Sequence, residues 1–111
     1  MGVMAEFHAH VYFDASSVET ARQLCEAASA KFGIKMGRMH ERPVGPHPHW
    51  SCQLLVPDQL FGEVIPWLSA HRGDLTIFIH GQTGDDLKDH TQHAIWMGSM
   101  PELNLSVFQS E

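Results

Sequence analysis

An α+β architecture, with two helices laid over one face of an antiparallel sheet, follows from three features of the sequence. Strand-like runs occur at 7–13 (FHAHVYF), 49–56 (HWSCQLLV) and 75–80 (LTIFIH). Between them, 16–32 and 58–72 place apolar residues at helical spacing. A weaker alternating segment, KMGRMHER at 35–42, completes the order β-α-β-β-α-β. That order is the ferredoxin-like split βαβ arrangement. The expected strand order is 4-1-3-2, with the first and third strands parallel and the second and fourth opposed to them. Residues 1–111 read as one domain.

In the first strand Phe7, Ala9, Val11 and Phe13 point one way and His8, His10 and Tyr12 the other. The apolar set must meet the helices. Ser16 and Glu19 have capping-box spacing for the first helix. Its buried stripe is Val18, Ala21, Leu24, Cys25, Ala28 and Phe32, and Gly33 stops it. In 35–42, Arg38, His40 and Arg42 share a side. The prolines of PVGPHP make a stiff connector. Trp50, Cys52, Leu54 and Val56 form the apolar face of the next strand. Asp58 can cap the second helix, whose stripe is Leu60, Phe61, Val64, Ile65 and Leu68. Pro66 falls inside that helix and Gly73 ends it. The tail from Gly81 to Glu111 reads as a short helix near 85–95 and a strand at 103–108.

Composition excludes several classes of function. The net charge is -6 and no cluster of Lys and Arg is present, so neither a nucleic-acid footprint nor a polybasic membrane anchor is expected. Cys25 and Cys52 are too few and too far apart for a disulfide framework or a CxxC zinc site, and read as free thiols in a reducing cytosol. No apolar run approaches the roughly 20 residues of a membrane helix. The start MGVMAEFH lacks the form of a signal peptide, and Glu6 stands where a myristoylation motif at Gly2 wants Ser or Thr. A cytoplasmic location is expected.

Nine histidines are gathered in ordered segments. With the expected strand order, His8, His10, His40, His47, His49 and His80 come to one end of the sheet, and parity turns His8, His10, His40, His49 and His80 away from the helices. A lone strand histidine is ordinarily a surface or hydrogen-bonded residue; convergence from several strands points instead to a metal, for which histidine is the commonest ligand. A rival set, Asp86, His90 and His93, shares one face of the tail helix. Three ligands on two turns seldom enclose an ion alone. The bland alternative is a solvated face with Asp89 paired to His93; the favoured expectation is that the segment folds over the open face as a lid and that its His90 serves the same site. The open face also favours a homodimer.

The runs FHAHVYF, RMHERPVGPHPHW and HGQTGDDLKDHTQHAIWMG resemble the DOPA 4,5-dioxygenase family over about 7–108. The resemblance implies a ferredoxin-like domain and extradiol cleavage of a catechol-type substrate by O₂ at non-haem iron(II). Zinc or another divalent metal would also occupy such a site in a purified protein. The matching positions are His8, His10, Arg38, His40, His47, His80, Asp86, His90 and Trp96; His49 and His93 are peculiar to this chain. HGQTG departs from the more usual His-Pro-Asn-Thr-Gly form. The expected metal ligands are His8, His10 and His80, with His47 as a fourth or a substitute. A carboxylate ligand would require Glu41 or Asp86 to turn inward. His40 and His90 are the acid–base candidates. Arg38 or Arg42 is placed to hold a substrate carboxylate, and Trp96 or Tyr12 to stack on the ring. The alternatives on the same fold are a non-catalytic metal or small-ligand module and a cofactor-free monooxygenase or isomerase.

Overall fold

The computed structural model describes residues 6–109; Gly2 lies outside them. Strand β1 (Glu6–Phe13) leads into helix α1 (Val18–Phe32), then β2 (Trp50–Pro57), a 3-10 turn (Asp58–Leu60), α2 (Phe61–His71), β3 (Ile77–Gly81), the short α3 (Asp86–Asp89) and β4 (Ala94–Met97). The sheet order is β2-β1-β3-β4. The α+β, ferredoxin-like reading therefore holds. Its core lies between the helices and one sheet face: Ala9, Val11 and Phe13 of β1, Cys52, Leu54 and Val56 of β2, and Ile77 and Ile79 of β3 meet Ala21, Leu24, Cys25, Ala28, Val64 and Leu68. Strict alternation in β1 and β2 produced this face, as period-two sequences must.

The expected strand polarity is corrected. β1 pairs antiparallel with both β2 and β3, in registers that place His8 opposite Leu55 and His80. The segment 35–40 runs beside β2 in the position expected of the second strand, and the chain reverses through 41–49 into β2. The strand that returns parallel to β1 is thus this segment, not β2. It is not a regular strand but two bridges, Met36 with Leu54 and His40 with Ser51. Pairing slips by one residue between them, the mark of a bulge. The cause is legible: Met36 and Met39 both pack on the core, yet three-residue spacing cannot put both on one face of an unbroken strand.

Two local readings also change. Glu19 makes no capping box with Ser16; α1 begins after Ser17, whose side chain makes no cap bond. Instead, Asp14 Oδ1 accepts from the backbone N–H and hydroxyl of both Ser16 and Ser17. Gly33 does end α1, in the left-handed region at φ 67. In the tail, the helix expected near 85–95 shortens to α3, capped by Asp85. Residues 94–97, rich in Ile and Trp, add to the sheet beside β3. The strand expected at 103–108 is a 3-10 turn, Leu105–Phe108. No helix among the described residues is long and apolar enough to cross a membrane.

Candidate metal centre and active site

The second face of the sheet carries His8, His10 and Tyr12 from β1 and Phe78 and His80 from β3. It is not open. The loop 41–49 and the tail fold across it, so that His10, Tyr12, His47, Phe78, His80 and His90 are all buried.

His8, His10 and His80 each offer a ring nitrogen within 4.8 Å of the others, and they are the one such group of potential metal ligands among the described residues. The pairing of β1 with β3 sets His8 directly opposite His80. His10 Nε2 lies 3.0 Å from His80 Nε2. His80 Nδ1–H donates to the Gly81 carbonyl at 2.8 Å. That bond fixes the tautomer and leaves the Nε2 lone pair turned toward the other imidazoles, the arrangement found behind metal-bound histidines. Burial, then the nearby His47, His80, His8 and His90, pushes the His10 pKa well below its usual range. Burial holds His80 at about 4, with repulsion from His90 and His8 opposed by the Gly81 carbonyl and Asp89. Both rings are therefore neutral at physiological pH, as ligands must be. The donor set fits a divalent transition metal, since imidazole suits iron, zinc, copper and nickel alike.

His47 and His90 reach this trio from outside the strands. Because β2 is antiparallel to β1, His47 does not share an edge with His8; the proline-rich loop carries it over the face. Its ring centre is 4.0 Å from that of His10, but its Nδ1 is bound to the Tyr12 hydroxyl at 2.8 Å. Burial first, then His90, His80 and His40, holds its pKa at about 4. Burial also raises the Tyr12 pKa, so its hydroxyl stays protonated. The His90 ring is 4.0 Å from His80, and its Nδ1–H donates to the Asp86 carbonyl at 2.7 Å.

Other candidates stand apart. His40 is half-buried opposite Ser51, beside the far end of β1, and His49 is exposed. Convergence of six histidines by strand ends is thus corrected to three from strands and two from the covering segments. Arg38, Glu41 and Arg42 are exposed, as is Asp86, so no carboxylate from Glu41 or Asp86 turns inward. The tail's rival metal set does not form: His90 faces the sheet, and His93 pairs with Asp89 at 3.2 Å. Trp96 stacks on Phe78 with ring centres 4.3 Å apart and meets Tyr12 edge-on. His90 and Trp96 also line a cavity of about 530 Å³ with Met100, Leu103 and Leu105. A second cavity of about 470 Å³, near Asp14 and Asp74, is lined by Tyr12 and His49 and by none of His8, His10, His47, His80 or His90.

Three further residues shape the site. Phe78, fully buried, is its floor, touching the rings of His10, His47, His80 and His90. Asp89, fully buried, accepts from the Thr83 backbone N–H and hydroxyl, and so closes the turn that carries His90. Burial alone would raise its pKa, but these bonds and His93 hold it below the usual carboxylate range. Glu6 binds His8 at 3.0 Å. Position along the strand signals two of them: Phe78 and Glu6 each lie two residues before a site histidine and must share its face. Nothing in the spacing singles out Asp89 as the buried one of several tail carboxylates.

Comparison with known proteins now bears on this arrangement. The sequence profile of the Dopa 4,5-dioxygenase family matches residues 7–107. The chain is 37% identical to an uncharacterized 21.2 kDa protein of Botryotinia fuckeliana, over 96% of this chain and 64% of that one. It is 33% identical to an Amanita muscaria protein named DOPA 4,5-dioxygenase, over 91% of this chain and 48% of that one. It therefore spans 64% and 48% of the length of these two curated relatives. A crystal structure from Nostoc punctiforme, described as that of a candidate dioxygenase, matches with a TM-score of 0.91 at 39% identity, over 94% of this chain and 90% of that one. Sequence profile, relatives and fold agree, and the chain belongs to the Dopa 4,5-dioxygenase family.

Proposed function

We propose that this chain is an extradiol dioxygenase that opens a catechol-type ring with O₂, using non-haem iron(II) held by His8, His10 and His80. The observation that carries the reading is the cluster of three imidazoles, two of them buried, on the sheet face of a chain with this family membership. Iron(II) there would supply Lewis acidity and one-electron chemistry toward catechol and O₂. The protein's own part is to bind, orient and move protons. His90, with its Nδ1–H committed to the Asp86 carbonyl, has its Nε2 lone pair free to take a catechol hydroxyl proton. It is favoured over His40, which sits at the other end of β1. His47, tied to Tyr12, is a further ligand or a proton donor to the opened product. Trp96 offers an apolar wall to the aromatic ring in the cavity it shares with His90. Tyr12 is too buried to stack on a ligand and acts through His47. Arg38 and Arg42 would meet only a substituent that reaches solvent.

The test is anaerobic loading with iron(II), followed by catechol, protocatechuate, caffeate and L-DOPA under air. Oxygen uptake with a yellow semialdehyde product supports the reading. Metal binding without uptake on any catechol would leave a non-catalytic metal module.

The chain is proposed to work in the cytoplasm as a homodimer. Since the site face is covered by its own loop and tail, the partner would take the outer edge of β4, where Ile95 is exposed. A monomer by light scattering would exclude this.

A further inference from the structure

The metal trio contains no carboxylate, and one residue outside the span matched by the family brings one to it. Glu6 is the first residue of β1 and lies two positions before His8, so both side chains leave the same face. Glu6 Oε2 is 3.0 Å from His8 Nε2, with His8 15% and Glu6 48% exposed at the side chain. The other two members of the trio are fixed by burial, and His80 also by the Gly81 carbonyl. His8 is the most exposed of the three.

We propose that Glu6 is a positioning residue of the metal centre: it accepts the Nε2–H of His8 and so turns the Nδ1 lone pair toward His10 and His80. A carboxylate behind a ligating imidazole fixes its tautomer and ring orientation and raises its basicity. His8 and His80 would then be held by the same device, one from a carboxylate and the other from a backbone carbonyl, each presenting its remaining nitrogen. The carboxylate also offsets the charge of a dication bound by three neutral ligands. This inference rests on the metal reading proposed above.

Cobalt(II) titration of the intact chain tests it, because cobalt reports its donor set in the visible spectrum. Glu6→Ala should weaken cobalt binding by about 10- to 100-fold, the effect of losing an outer partner. Glu6→Gln keeps an acceptor oxygen and should lose less. In both, the spectrum at saturation should match the wild type, and the melting temperature of the metal-free protein should not move, since Glu6 is half exposed. Unchanged affinity in Glu6→Ala overturns the inference while leaving the metal centre standing. A shifted spectrum in both variants also overturns it, by making Glu6 a ligand itself. A wild-type chain that binds no cobalt overturns the metal centre and this inference together.

Discussion

Replacing Asp89 with alanine removes one carboxylate that closes the 83–89 turn over the site. Its oxygens accept the Thr83 N–H at 2.9 Å, the Thr83 hydroxyl at 2.8 Å and His93 Nδ1–H at 3.2 Å. A hydrogen bond to a charged group contributes about 1.5–3 kcal/mol. The His93 bond is a third exposed and counts least. Thr83 is exposed, so water recovers part of what its donors lose. The expected cost of Asp89→Ala is therefore about 2–4 kcal/mol. In a domain of about 100 residues each kcal/mol moves Tm by about 4–8 °C, so Tm should fall by roughly 8–32 °C. Asp89→Asn should cost somewhat less, because one amide oxygen can still accept while the amide nitrogen faces a donor. The assay is thermal unfolding of the metal-free protein at pH 7, with amide exchange followed across 83–93. A fall of less than about 3 °C in both variants would refute the claim that this carboxylate holds the turn.

Acid should destabilise the metal-free protein. His47 and His80 are held at about 4 against 6.5 in the unfolded chain, chiefly by burial. The unfolded chain thus binds more protons below 6.5, so the stability is present above pH 6.5 and lost as pH falls toward 4. At 1.36 kcal/mol per pH unit each ring accounts for roughly 3 kcal/mol; equal urea midpoints at pH 7 and pH 4.5 would contradict this. Phe78→Ala should cost about 3–5 kcal/mol and loosen all four histidines around it, read by urea denaturation. His90→Gln should leave iron affinity within a few-fold and lower kcat by about 10²- to 10⁴-fold, the range of a general base; an unchanged kcat would remove His90 from that role.

Strict alternation made β1 and β2 legible, because period-two patterning decides which face is buried. Parity likewise sets His8, His10 and His80 on one face, and the structure groups them. The polarity of β2 is not legible in the strand, since it depends on the hairpin through 41–49 and not on any residue within it. Parallel pairing would put His47 at the His8 edge; it reaches His10 instead because PVGPHP carries the loop over the sheet. The tail resisted reading for a different reason. Asp86, His90 and His93 fit helical spacing, but pairing of Ala94–Met97 with β3 stops the helix after one turn, a tertiary contact that local pattern does not encode. The resemblance of TGDDLKDHT to its family marked this stretch as important without saying that Asp89 would be the buried carboxylate.

The central claim is that His8, His10 and His80 form one metal centre. An anaerobic iron(II) binding isotherm tests it most directly, run on the wild type and on His8→Ala and His80→Ala with far-UV circular dichroism as a check of folding. The account predicts a single site in the wild type and a loss on the order of 100-fold or more in each folded variant, beyond the effect of losing an outer partner. Wild-type affinity retained by both variants would contradict it.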